Sequence, residues 1–157
     1  MNGLSELVLL DTNIFLDLIG GFEEKDTVSS KKLLDSIKAG EKLGIVIAPV
    51  LCELYYLISR EGDEQEAQKF IKLILSIPNI QVFPIGQEEA IRAGWVYHKY
   101  NAGQKHKNWL SLVDCLIIAS CFYLESSVVC TWDSRFEQVK DVSIYKPSEI
   151  VKSNTAP

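Results

Sequence analysis

Four short apolar runs rich in β-branched residues punctuate the chain: LVLL at 7–10, GIVIA at 44–48, IQVF at 80–83 and SVVC at 127–130. Their length and composition predict strands. Between them apolar residues recur at helical spacing, which predicts helices over about 12–19, 28–40, 49–60, 63–76, 87–101 and 111–124. Pro49 suits the first turn of the third helix, and SIPNI ends the fourth near Ser76. GGFEEKDT at 20–27 reads as a turn or loop before the second helix, and KSNTAP at 152–157 as a flexible tail.

Strands alternating with helices point to an α/β fold, with a parallel sheet flanked by helices on both faces. No repeat or Pro/Gly/Ser linker divides the chain, so a single domain over residues 1–151 is expected. A chain of 157 residues buries about 70% of its unfolded surface, enough for one core.

Composition narrows the class further. The chain is 47% hydrophobic and 24% charged, which argues against disorder. No apolar run approaches the roughly 18 residues of a membrane span, so no membrane partner is expected. The start, MNGLSELVLLD, lacks the basic residues and cleavage site of a secretory signal, which makes the cytoplasm the expected location. Cys52, Cys115, Cys121 and Cys130 form no CxxC pair and lie in or beside apolar runs, so they read as small buried thiols. Sixteen basic residues stand against 21 acidic ones, for a net charge of −5. That is a poor footprint for clamping long nucleic acid by counterion release, so any polyanion must be gripped locally.

In a parallel sheet the strands' carboxyl ends share one edge, where open α/β sheets bind ligands. Asp11 follows LVLL directly, Glu53 lies about one turn into the helix after GIVIA, and Asp133 follows SVVC in TWD. Asp114 lies in the first turn of the apolar helix SLVDCLIIASCFYL. Each has an ordinary structural use. Asp11 and Asp133 can cap the turns that come after them, Ser111 to Asp114 fits a capping box, and Glu53 favours the positive end of its helix. Glu53 and Asp114 are nonetheless embedded in VLCELYYL and SLVDCLII, with no Arg or Lys nearby in sequence. A buried charge needs a partner or a polar cleft.

If the four converge, each pair repels by about 4 kcal/mol at about 4 Å and an effective dielectric near 20. A divalent cation resolves that repulsion, and all-oxygen ligation suits Mg²⁺ or Mn²⁺ better than zinc. Such an ion activates water and stabilises charge on a phosphate, which points to phosphoester hydrolysis.

At these residues the sequence resembles the PIN-domain family, and most closely its VapC-type toxin ribonucleases from toxin–antitoxin pairs. LLDTN carries the first aspartate with Thr and Asn, APVLCEL the glutamate, LSLVDCLIIA the middle aspartate, and VVCTWDSRF the closing T-x-D-x-x-F signature. The resemblance spans nearly the whole chain. It implies a three-layer α/β/α fold with about five parallel strands, and a metal-dependent endoribonuclease site made by Asp11, Glu53, Asp114 and Asp133. Asp11 and Asp114 would be direct ligands of Mg²⁺ or Mn²⁺, with Glu53 and Asp133 direct or through water. Thr12, Asn13 and Thr131 would orient carboxylates or waters. Asp17 is expected on a helix face rather than among the ligands.

The implied reaction is in-line attack of water on an RNA phosphodiester, leaving a 5′-phosphate and a 3′-hydroxyl. It needs no nucleophilic side chain, and no metal spacing includes the two histidines, His98 and His106. The resemblance also implies a small antitoxin protein as partner and a homodimer, with the faces around Leu54, Tyr55 and Leu57 as candidate contacts. HKYNAGQKHKNW at 98–109 is the one local basic run with aromatic neighbours. It offers Lys99, Lys105 and Lys107 for RNA contact, against the alternative of a solvated loop. Of the tryptophans, only Trp132, between Thr131 and Asp133, stands beside the candidate site.

Two other readings compete. A haloacid-dehalogenase-like phosphatase also places an Asp after its first strand, but usually needs a carboxylate where this chain has Asn13, together with a Lys motif not found here. A non-catalytic PIN-like module that binds RNA or protein would not need all four acids.

Overall fold

The computed structural model describes residues 6–20, 24–125 and 127–152, with the side chains of 24–26 and 152 left aside. Of the expected tail, 153–157 lie outside the described residues. The elements run β1 (Glu6–Leu10), α1 (Thr12–Leu16), α2 (Glu24–Lys38), β2 (Lys42–Ile47), α3 (Ala48–Glu61), α4 (Glu64–Ser76), β3 (Ile80–Phe83) and α5 (Gln87–Asn101). They continue with α6 (Leu112–Cys121), β4 (Ser127–Cys130), β5 (Ile144–Tyr145) and α7 (Pro147–Lys152). Short 3-10 turns occupy His106–Asn108 and Ser134–Gln138.

Among the described residues five strands form one sheet in the order β3-β2-β1-β4-β5, all parallel. The all-apolar runs explain this arrangement. Val8, Leu9 and Leu10 are consecutive and all buried, which a strand allows only when both of its faces are covered. Helices supply the cover, with α5 packed on α6, α3 on α4 and α2 on α7. Gly44 in β2 lets the layers close tightly, since a Cβ there would stand 3.2 Å from side-chain atoms of Leu10, Ile37 and Ile80.

Several elements and residues lie differently from what the sequence predicts. The second helix begins at Glu24 rather than 28, so the second half of GGFEEKDT is helical, while 21–23 lie outside the described residues. The first helix closes at Leu16 and passes into a turn. Cys52 is exposed, on the solvent side of α3, whereas Cys115 and Cys130 are buried and Cys121 partly so. Leu54, read as a contact residue, is fully buried in the core, while its neighbour Tyr56 is 60% exposed.

One consequence of the strand order sets up the site. β1 lies at the centre, with the chain progressing outward to β2 and β3 on one side and to β4 and β5 on the other. The crevice beyond the ends of β1 and β4 is therefore the topological switch point, where open α/β sheets place their ligands.

Candidate active site

Asp11 is the first residue past β1, and its backbone N–H donates to the carbonyl of Cys130, the last residue of β4, at 3.1 Å. This bond ties together the two strand ends that bound the crevice. Asp11 also caps α1, accepting from the backbone N–H of Thr12 at 2.7 Å. Its other oxygen, Oδ2, accepts from Thr131 Oγ1 at 2.6 Å and from Asn13 Nδ2 at 2.9 Å. The capping use is thus real, and it occupies only one oxygen of the carboxylate.

Thr131 organises the floor of the crevice. Its hydroxyl donates to Asp11 and accepts from Asn13 Nδ2 at 3.0 Å and from the backbone N–H of Asp133 at 2.9 Å. A hydroxyl has one donor and two acceptor positions, so this one is fully used. Asn13 closes the loop by accepting from the Trp132 backbone N–H at 3.2 Å. On the opposite side, Thr12 Oγ1 donates to Glu53 Oε2. Thr12 and Thr131 are themselves buried, at 5% and 2% exposure, so water does not compete freely for these bonds.

Asp114 reaches the site from the start of α6 through the capping box seen in its sequence. Ser111 N–H donates to Asp114 Oδ2 at 2.7 Å, and Asp114 N–H to Ser111 Oγ at 3.1 Å. Asp133 caps the 3-10 turn after it, accepting from the Arg135 N–H at 2.8 Å. Capping therefore brings Asp11, Asp114 and Asp133 to the crevice with their orientation set by main-chain bonds.

Their proximity is visible in their acidity. Burial pushes the Asp11 carboxyl up to about 7, the Thr131 hydrogen bond opposes this, and the charges of Asp114 and Glu53 add to it. Burial likewise raises Asp114, with the Ser111 hydrogen bonds and Arg135 opposing and Asp133 contributing. Carboxylates that resist ionisation together form a site with an appetite for a cation.

The sequence reading missed two residues here. Arg135 grips Asp133 through Nε at 2.8 and 3.0 Å and through Nη2, and its Nη2 also lies 3.4 Å from Asp114 Oδ2. Its Nη1 donates to the Trp109 carbonyl at 2.8 Å. This is the partner that Asp114 lacked in sequence. Asp17, expected on a helix face, is 1% exposed and accepts from Ser30 Oγ and, at 2.9 Å, from Trp132 Nε1. The T-W-D-S-R run held the only local hint of either contact.

Among the described residues no three His, Cys, Asp or Glu side chains stand close enough together to hold a metal ion as they are. Each donor is instead engaged within the protein. Arg135 spans Asp114 and Asp133, Thr12 holds Glu53, and Thr131 and Asn13 hold Asp11. The donor chemistry nevertheless fits a hard divalent cation, being all carboxylate oxygen, with Asp11 and Asp114 raised by burial and further by a neighbouring acid. Of the basic run, Lys99 is paired with Asp141 at 2.7 Å, and Lys105 and Lys107 are exposed. Trp109 within it packs edge-on against Tyr97 and beside His106.

The sequence profile of the PIN domain family matches residues 8–142. Among solved structures, VapBC2 from Rickettsia felis bound to a promoter DNA fragment is similar, with a TM-score of 0.68, 18% identity, and coverage of 89% of this chain and 98% of that one. A toxin–antitoxin complex from Klebsiella pneumoniae matches with a TM-score of 0.59 at 18% identity, covering 89% and 97% of the two chains. VapC20 of Mycobacterium tuberculosis, a sarcin-ricin loop cleaving toxin, matches with a TM-score of 0.63 at 17% identity, covering 83% and 92%. No curated protein matches the chain.

Proposed function

The chain belongs to the PIN-domain family, and from that membership together with its carboxylate-lined crevice we propose that it is a divalent-metal-dependent endoribonuclease. The observation that carries this reading is the position of Asp11 and Asp114. They are buried at 4% and 6% exposure beside the ends of β1 and β4, and the charge of Asp114 adds to the resistance of Asp11 to ionisation.

Asp11 and Asp114 would hold a Mg²⁺ or Mn²⁺ ion, with Glu53 and Asp133 completing its oxygen shell directly or through water. The ion, when bound, supplies activation of water and stabilisation of charge on the phosphate. The chain's own groups do the rest. Thr131, Asn13 and Thr12 hold Asp11 and Glu53 through their hydrogen bonds and would keep them oriented as the ion draws its ligands together. A water oxygen forms the new bond to phosphorus in line with the departing 3′ oxygen. The P–O3′ bond breaks, the 3′ oxygen takes up a proton, and the products are a 5′-phosphate and a 3′-hydroxyl. Lys105 and Lys107 are proposed to contact the RNA backbone, and Lys99 to do so only once released from Asp141.

The similarity to toxin–antitoxin complexes supports a toxin role with a small antitoxin protein as partner; a cytoplasmic location and a homodimer as the working form belong to the same proposal. No described helix is long and apolar enough to cross a membrane.

The test is to incubate total RNA with the purified protein and map the cleaved ends, using Asp11→Asn as control. Cleavage that requires Mg²⁺ or Mn²⁺, is lost on chelation and is lost in the variant supports the reading. Metal-independent cutting, or equal cutting by Asp11→Asn, defeats the site assignment. A parent protein that binds RNA without cutting it returns the chain to the non-catalytic module.

A further inference from the structure

Arg135 is the one cation among the described residues that forms a salt bridge with any of the four crevice acids. Its guanidinium does not hang from one partner. Nε and Nη2 engage Asp133, Nη2 also faces Asp114 Oδ2 at 3.4 Å, and Nη1 donates to the Trp109 carbonyl at 2.8 Å. The positive charge therefore stands between two carboxylates that the proposed metal would share.

Neither carboxylate depends on Arg135 for its place. Asp114 is held by the Ser111 backbone and Asp133 by the backbone N–H of Arg135, so both keep a main-chain anchor if the guanidinium leaves. Arg135 has room to leave, because its side chain is 37% exposed while that of Asp114 is only 8%. An arginine is always charged, and its planar fork of donors matches a phosphate as well as it matches a carboxylate.

We propose that Arg135 is an exchangeable counter-charge: it neutralises the Asp114 and Asp133 side of the crevice until a divalent cation enters, and then turns to a non-bridging oxygen of the RNA phosphate. This rests on the nuclease reading. It assigns Arg135 a direct contact with the reacting phosphate, where it stabilises the charge that builds as the water oxygen approaches phosphorus. It also makes the site self-protecting. Without a cation the acids stay paired, and the crevice does not bear the full repulsion of its own ligands.

The experiment compares the parent protein with Arg135→Gln and Arg135→Lys, measuring Mn²⁺ binding by calorimetry without RNA and single-turnover RNA cleavage at saturating Mn²⁺. Removing a competing positive charge from beside two ligands should tighten Mn²⁺ binding by about tenfold in Arg135→Gln. Loss of a donor to the transition state should slow cleavage by about a hundredfold in the same variant. The lysine variant should fall between parent and Gln in both, since one ammonium cannot span both carboxylates or fork onto a phosphate. A purely structural arginine predicts the opposite coupling, with weaker metal binding and weaker cleavage together.

Unchanged or weaker Mn²⁺ affinity in Arg135→Gln overturns the counter-charge role, and an unchanged cleavage rate overturns the phosphate contact. Circular dichroism checks folding; if the Gln variant is unfolded, the lysine variant carries the same two comparisons. A parent that neither binds Mn²⁺ nor cuts RNA defeats the nuclease reading itself. A parent that does both, with an Arg135→Gln variant indistinguishable from it, defeats only this inference.

Discussion

Trp132 Nε1 donates to Asp17 Oδ2 at 2.9 Å across 115 positions of sequence, and the same indole N–H lies 2.9 Å from Ser30 Oγ. The bond joins the turn after α1 and the body of α2 to the loop that carries Thr131 and Asp133. Trp132 thus packs its ring against the core while its N–H holds a buried carboxylate, and its own backbone N–H is held by Asn13. The crevice is braced from beneath by residues that do not line it.

That brace should be measurable. Trp132→Phe keeps an aromatic ring and removes the N–H, leaving the buried Asp17 with one donor fewer, a loss of about 1–3 kcal/mol in stability. Urea denaturation reads the loss directly. In the same variant RNA cleavage should fall while the protein remains folded, because Thr131 and Asp133 sit on either side of the altered residue. Full activity with a normal denaturation midpoint would separate the Asp17 contact from the site.

Asp11 should be a residue whose loss costs activity and not stability. Asp11→Asn removes the group that burial pushes up to about 7, together with its repulsion of Asp114 and Glu53. The metal-free variant should therefore melt no lower than the parent, while cleavage falls by about a thousandfold or more, as expected when a ligand of a catalytic metal is lost. The parent should also melt higher with millimolar Mg²⁺ or Mn²⁺, by the linkage of ligand binding to folding, and the variant should not. Asn caps a helix as well as Asp does, so a strongly destabilised Asp11→Asn would mean that the oxygen accepting from Thr131 and Asn13, and not metal binding, is the dominant use of this carboxylate.

Thr131 offers a sharper contrast, because its hydroxyl serves three groups at once. Thr131→Ala should slow cleavage by about 10–100-fold through loosened ligands, and Thr131→Ser should restore most of the rate. Equal rates for the Ala and Ser variants would mean that the hydroxyl is dispensable and that the threonine contributes through its volume alone.

The cysteines test the burial pattern independently of function. Burial pushes the Cys115 thiol up to about 12 and the Cys121 thiol to about 11, and holds Cys130 well above its ordinary value. The thiolate is the reactive form. At pH 8 a thiol reagent should accordingly modify the exposed Cys52 alone in the native protein, and all four sites after denaturation. Rapid native labelling of Cys115 or Cys130 by mass spectrometry would contradict the packing of α6 and β4.

The strands β1, β2 and β4 are legible in the sequence because a strand covered on both faces has to be apolar at successive positions, and LVLL, GIVIA and SVVC have few other uses in a chain of this size; β3, the half-exposed edge strand, shows itself only through the β-branched and aromatic residues of IQVF. β5 is not legible, because two residues, Ile144 and Tyr145, carry too little pattern to announce a strand. They pair only because β4 presents them with an edge. The start of α2 escapes for a related reason. EKDT is polar throughout, and helical periodicity has no apolar positions there to reveal it.

The site divides along the same line. Sequence by itself determined which acids could matter, since each lies at a strand end or near a helix start, and the capping that turns Asp11, Asp114 and Asp133 toward the crevice is a local property of a few consecutive residues. Only the tertiary structure decided what those acids meet. Asp114 faces Arg135 across 21 positions, Asp11 faces Thr131 across 120, and Asp17 faces Trp132 across 115. The last two pairings come from a parallel sheet that brings β1 and β4 side by side although they are far apart in the chain, and the first from α6 packing beside the same strand ends. No local pattern encodes that adjacency. It arises from burying both faces of the strands, and the electrostatics of the crevice are its result.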